Sequence, residues 1–138
     1  MRFVDTNILL YAVSTAPEEA RKSETARKLL EAADLGLSVQ VLQEFYVQAT
    51  RASRADRLTS EQAAGLVEAF LRFPAQETTP DVMRAAMTLA RRHRLSYWDA
   101  AILEAARALG CDVVLSEDLA HGRSYDGVRV ENPFRRGA

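Results

Sequence analysis

The sequence predicts an α/β fold of three layers, with helices on both faces of a short central parallel sheet. Two apolar runs, Phe3-Val4 and Val113-Val114-Leu115, each stop abruptly at acids and a hydroxyl or amide, as buried strands do on reaching a crevice. Helical periodicities fill the chain between them. Only three residues separate Leu109 from Val113, a tight helix-to-strand return, and the strand-helix-strand order points to parallel pairing. A length of 138 residues suits one domain, 1–138, with one core that buries about two-thirds of the unfolded surface.

In chain order, Phe3-Val4 gives the first strand, with Asp5 at its carboxyl end ahead of the apolar run Ile8-Leu9-Leu10-Tyr11. Thr15-Ala16-Pro17-Glu18 has the form of a capping box and predicts a helix with Ala26, Leu29, Leu30 and Ala33 on its buried side. Gly36 marks the turn after it, Leu37 belongs to a short strand, and Ser38 caps a helix striped by Val41, Leu42, Phe45, Tyr46 and Ala49. Glu44 borders that stripe, one turn from Gln40. Residues 51–57 break the pattern with three arginines. Thr59-Ser60-Glu61-Gln62 opens a helix with Ala63, Leu66, Val67, Phe70 and Leu71 inward, stopping before Pro74. Thr79-Pro80 opens another, with Val82, Ala86, Leu89 and Ala90 inward and Arg91, Arg92 and Arg94 at its basic end. Ser96 starts the most regular helix, whose apolar face reads Trp98, Ala101, Ile102, Ala105, Ala106 and Leu109, with Gly110 as its stop. Trp98 is in phase with the alanines, so it reads as core rather than as a platform for stacking bases. The run 113–115 is the next strand, 121–127 a loop, and Val128-Arg129-Val130 the last short strand, ending at Asn132-Pro133.

The 48% hydrophobic and 27% charged content is that of a soluble globular chain, and no apolar run approaches a membrane span. The sole cysteine, Cys111, excludes an internal disulfide, and no signal-peptide pattern opens the sequence; both favour the cytoplasm. The net charge of −1 hides a distribution. If four acids are sequestered in a metal site, eighteen basic side chains face fifteen remaining acids, a surface of +3. Only Lys22 and Lys28 are lysines; the sixteen arginines suit bidentate phosphate binding, although a GC-rich coding composition explains them equally well. Arginines 51, 54, 57, 91, 92, 94, 135 and 136 offer phosphate grip without base readout.

Asp5 and Asp118 end strands, while Glu44 and Asp99 border apolar helix faces, so a compact α/β domain can bring all four to one sheet edge. Each has a plain alternative. Asp5 caps the following helix, Glu44 is solvated, and Asp99 completes a capping box with Ser96. Carboxylates held close need a cation or strongly raised pKa values, and an all-oxygen set suits Mg²⁺ or Mn²⁺ rather than Zn²⁺. His93 and His121 are far apart in sequence and read as surface or structural. An acidic cluster holding Mg²⁺ fits phosphodiester hydrolysis by activated water, and no Ser-His-Asp set, phosphate loop or dinucleotide fingerprint is present.

Phe3-Val4-Asp5-Thr6-Asn7, Gln43-Glu44-Phe45, Tyr97-Trp98-Asp99-Ala100-Ala101-Ile102, Ser116-Glu117-Asp118-Leu119 and the closing Asn132-Pro133-Phe134 resemble, in this order and across nearly the whole chain, PIN-domain proteins of the VapC toxin type. The resemblance implies a PIN-like three-layer fold, an Mg²⁺- or Mn²⁺-dependent endoribonuclease, homodimerisation, and inhibition by a VapB-type antitoxin. Carried over by motif, Asp5, Glu44, Asp99 and Asp118 form the acidic metal-binding set. Asp5 and Asp99 are the direct ligands, joined by Glu44 and Asp118 when a second ion or the RNA phosphate binds. Asn7 and Ser116 match polar positions that orient the acids or the attacking water. Glu117 stays open between contact through water and plain solvation.

Rival readings fit less well. A haloacid-dehalogenase-like phosphatase wants a second Asp where this chain has Asn7, and a receiver domain wants a late lysine, whereas both lysines here are early. A catalytically inactive PIN-like module that binds RNA or protein is the non-enzymatic alternative.

Overall fold

The computed structural model describes residues 1–135, so Arg136 lies outside the described residues. β1 (Arg2–Val4) leads into α1 (Thr6–Val13), a short 3₁₀ turn (Pro17–Glu19) and α2 (Ala20–Leu29). β2 (Leu35–Ser38) is followed by α3 (Val39–Ala49) and α4 (Ser60–Phe70), and β3 (Ala75–Gln76) by α5 (Pro80–His93) and α6 (Tyr97–Ala108). β4 (Val113–Leu115), β5 (Ser124–Tyr125) and β6 (Val128–Glu131) complete the chain.

Among the described residues six strands form one sheet in the order β3-β2-β1-β4-β6-β5. All its pairs are parallel except the antiparallel β5-β6 edge hairpin. The chain steps outward from β1 through β2 to β3, then returns across the sheet to β4. Right-handed crossovers therefore put α1 to α4 on one face and α5 and α6 on the other, giving the three layers the sequence predicts. Phe3, Val4, Leu35, Leu37, Val114 and Leu115 fill the middle layer, and Ile8, Leu9, Phe45 and Leu89 close it from the helices.

The caps follow local chemistry. Ser38 accepts from the Val41 N–H at 3.2 Å, Thr59 and Gln62 form the full reciprocal box, and Thr79 accepts from the Val82 N–H at 3.1 Å. The box expected at Thr15 does not form. The Thr15 N–H donates instead to Asp56 at 2.9 Å, a residue 41 positions away, and the 3₁₀ turn starts from Ala16 without a side-chain cap. Ala33 lies beyond the end of α2 and is exposed.

Gly36 is not a turn but lies inside β2. A Cβ built there would stand 2.5 Å from Leu109 Cδ2 and 2.9 Å from Met1 Sδ, so any larger residue requires those two side chains to shift where the end of α6 lies against the strand. β3 and β5 were not expected; each is two residues long and exists through its neighbour. Tyr46, Leu71 and Trp98 leave the stripes the periodicity assigns them and face outward, Trp98 at 64% exposure. No helix among the described residues is long and apolar enough to cross a membrane.

Candidate active site

β1 connects to a strand on one side of it and β4 is reached from the other, which makes the boundary between them the topological switch point. Loops diverge from the carboxyl ends of such a strand pair and open a crevice. Val4 pairs with Leu115, so Asp5 and Ser116 leave the sheet side by side, tied by the Asp5 N–H to Leu115 carbonyl bond at 3.0 Å. This register brings the first and fourth motifs together across more than a hundred residues.

Asp5 is 7% exposed and does both jobs the sequence leaves open. It caps α1 while facing the crevice. Oδ1 accepts from the Thr6 N–H at 2.7 Å, and Oδ2 accepts from the Ser116 hydroxyl at 2.8 Å. Ser116 is fully buried below it and also accepts from the N–H groups of Asp118 (3.1 Å) and Leu119 (3.3 Å). Asn7 ties the loops together: its amide donates to Asp118 at 3.2 Å and to the Ser116 hydroxyl at 3.4 Å, and its carbonyl accepts from the Glu117 N–H at 3.1 Å. Glu44 reaches over from α3, accepting from the Thr6 hydroxyl at 2.9 Å and from Gln40 at 2.8 Å. Asp99 sits in the first turn of α6, where Ser96 accepts from its N–H at 3.1 Å. The capping box is thus half made, and among the described residues no donor occupies the Asp99 carboxylate.

Asp5, Asn7, Glu44, Asp99, Glu117 and Asp118 line one cleft of about 340 Å³. Its electrostatics are unbalanced. Glu44, Asp5 and Asp118 are held by neutral donors alone, and among the described residues none of the four acids pairs with a cationic side chain. Arg54 also lines the cleft, but its Nε is 3.0 Å from Asp56. The N-termini of α1 and α6, which point their dipoles at Asp5 and Asp99, offset part of this charge. Burial first, and then the nearby Glu44 and Asp118 charges, push the Asp5 carboxyl up to about 6 despite the bonds from Ser116 and Thr6.

An acid with a pKa of 3.8 unfolded and about 6 folded holds its proton more tightly in the native state. Its contribution to stability is therefore greatest below about pH 4 and falls as pH rises to about 6, by up to about 3 kcal/mol. The difference in unfolding free energy between wild type and Asp5→Asn, measured by denaturant titration in chelator, should shift toward the variant by about 2 to 3 kcal/mol between pH 4 and pH 7. An equal difference at both pH values would show that Asp5 titrates like a solvated acid.

Glu117 is the acid with a partner. It accepts from the Tyr11 hydroxyl at 2.5 Å and is ion-paired with Lys22, whose ammonium also lies over the rings of Tyr11 and Phe134. Burial raises its pKa, but the Lys22 and Tyr11 bonds outweigh that and hold it below the ordinary value. It is already neutralised, which sets it apart from Asp5, Glu44, Asp99 and Asp118. Thr6, Gln40, Tyr11 and Lys22 are the residues sequence reasoning missed. Gln40 had a signal in its one-turn spacing from Glu44, whereas Lys22 and Glu117 are 95 residues apart and had none.

The donor set fits a hard divalent cation: carboxylate oxygens, uncompensated charge, and one acid kept largely from water. Among the described residues, no three His, Cys, Asp or Glu side chains stand close enough to form a ready-made ion cage. The acids border one cleft, but Asp5, Glu44 and Asp118 are engaged by neutral partners there.

Solved structures with the same fold include VapC20 from Mycobacterium tuberculosis, described as a Sarcin-Ricin loop cleaving toxin, at 20% identity over 86% of this chain and 92% of that one, with a TM-score of 0.66. A toxin–antitoxin complex from Klebsiella pneumoniae gives 20% identity over 97% of this chain and 98% of that one, TM-score 0.70. VapBC2 from Rickettsia felis, bound to a DNA fragment of its promoter, gives 18% over 95% and 97%, TM-score 0.64. A sequence comparison with curated proteins finds no match. The PIN domain family model matches residues 2–125, from the first residue of β1 to the last of β5, and so takes in both strands of the switch point and all four acids. By that match the chain belongs to the PIN domain family.

Proposed function

We propose that this single PIN domain is an endoribonuclease toxin that hydrolyses RNA phosphodiester bonds with the help of Mg²⁺ or Mn²⁺ and is restrained by a cognate antitoxin. The observation that carries the reading is that Asp5, Glu44, Asp99 and Asp118 line one cleft at a topological switch point and, among the described residues, have no cationic partner. Structural neighbours that are toxins or toxin–antitoxin complexes support the toxin role and the protein partner.

Asp5 and Asp99 would hold the cation, with Glu44 and Asp118 joining when phosphate arrives. When bound, Mg²⁺ or Mn²⁺ supplies Lewis acidity that lowers the pKa of water and offsets phosphate charge. The chain's own residues do the positioning. Ser116 aims Asp5, Thr6 and Gln40 aim Glu44, and Asn7 locks the 116–118 loop against the start of α1. No nucleophilic side chain is needed.

Labelled single-stranded RNA should be cut by the purified protein in Mn²⁺, with cleavage abolished by EDTA and restored by excess Mn²⁺. The same ion at a hundredfold excess over its dissociation constant should stabilise the fold by about 2.7 kcal/mol, a rise of several degrees in Tm. The dispersed orientation of the acids supports one alternative, a PIN module that binds without cutting. RNA binding that is insensitive to EDTA and yields no product would establish that alternative and end the nuclease reading.

A further inference from the structure

The cleft has one wall that the chemistry of hydrolysis does not use. Trp98 precedes Asp99 in the first turn of α6 and lines the same cleft, yet it is 64% exposed, more than any other large hydrophobic side chain among the described residues. An indole has 150 to 250 Å² to bury, so leaving it in water forgoes substantial stabilisation. The helical phase that buries Ala101, Ile102 and Ala105 does not bury Trp98, because α6 begins at the rim where neighbouring helices no longer cover it. Its placement is nevertheless defined. The Tyr97 ring meets it edge to face at 5.0 Å and 82°, and Gln40, which also holds Glu44, donates to the Trp98 carbonyl at 3.4 Å.

On its other side Trp98 borders a narrow pocket of about 70 Å³ that Gln40, Gln43 and Gln76 help to line.

Resting on the nuclease reading, we infer that Trp98 is a substrate-binding residue: it stacks an unpaired nucleobase next to the phosphate being cut. Stacking explains why an aromatic side chain is left uncovered beside the acids rather than elsewhere on the surface. It favours single-stranded RNA, since the faces of paired bases in a duplex are already covered. It is also tolerant of base identity, because every base presents a π face.

The test is steady-state cleavage of a single-stranded RNA oligonucleotide in Mn²⁺ by wild type, Trp98→Ala and Trp98→Phe. Loss of one base stack predicts a KM about tenfold higher for Trp98→Ala. kcat should stay within about twofold of wild type, and Trp98→Phe should recover most of the KM loss. Because Trp98 is the only tryptophan, its intrinsic fluorescence should fall on mixing with RNA and recover as products leave. Wild-type KM in Trp98→Ala, or unchanged fluorescence during turnover, overturns the assignment of Trp98 while leaving the nuclease intact. A Trp98→Ala protein whose oligomeric state shifts without RNA would give this wall to a protein interface instead, and overturn it too. A wild type that neither binds nor cuts RNA removes the nuclease reading itself, and this inference with it.

Discussion

Asp5→Asn is expected to lower Mn²⁺-dependent RNA cleavage by more than about a hundredfold. Even the outer partners of a metal ligand are worth about 10- to 100-fold, and Asp5 is the acid that the other residues of the site hold in place. Its two oxygens are fixed by the Thr6 N–H and the Ser116 hydroxyl, and its charge is raised in energy by burial and by Glu44 and Asp118. Asparagine matches its volume and still accepts from Thr6, so the backbone entry into α1 survives. Its amide nitrogen then faces a Ser116 oxygen that already accepts from Asn7, Asp118 and Leu119, which costs a bond. Removing a buried charge repays that loss at neutral pH. The variant should therefore melt near or above wild type in chelator, and gain far less than wild type from Mn²⁺. Undiminished cleavage by a correctly folded, contaminant-free variant would take Asp5 out of the chemistry.

The parts of the site legible in the sequence are those in which a residue's place is local. Asp5 and Asp118 could be put at strand ends because Phe3-Val4 and Val113-Val114-Leu115 are short apolar runs with abrupt polar stops. The direction of Glu44 was not legible, since a residue on the border of a helical stripe faces either water or a cleft, and only the Thr6 hydroxyl at the start of neighbouring α1 decides it. Periodicity misread Trp98 for a related reason. It tells which side of α6 a residue is on, not whether another element covers that side at the end of the helix. Thr15 failed as a cap because a carboxylate 41 residues away competes for its N–H. The two-residue strands β3 and β5 carry no periodic signal at all, and Gly36 reads as a stop only while the Leu109 side chain packed against it is out of view.

Ser116→Ala should produce the largest loss of stability of any conservative change at the site. Ser116 is fully buried and joins four groups at once. Alanine leaves the Asp118 and Leu119 N–H groups without their acceptor and deprives Asp5 of a donor. Each unsatisfied buried group costs about 1 to 3 kcal/mol, so a total of about 3 kcal/mol and a fall in Tm of about 10 °C are expected. A site with room for water would relieve part of this, and a change below about 1 kcal/mol would mean that the bonds are replaced by solvent. The functional consequence is separate from stability. The Ser116 hydroxyl holds the Asp5 pKa down, so its removal raises that pKa further above about 6 and should move the acidic limb of the cleavage profile to higher pH. A residue that only supported the fold would lower Tm and leave that limb in place. The two readouts together distinguish a structural hydroxyl from one that sets the charge of Asp5.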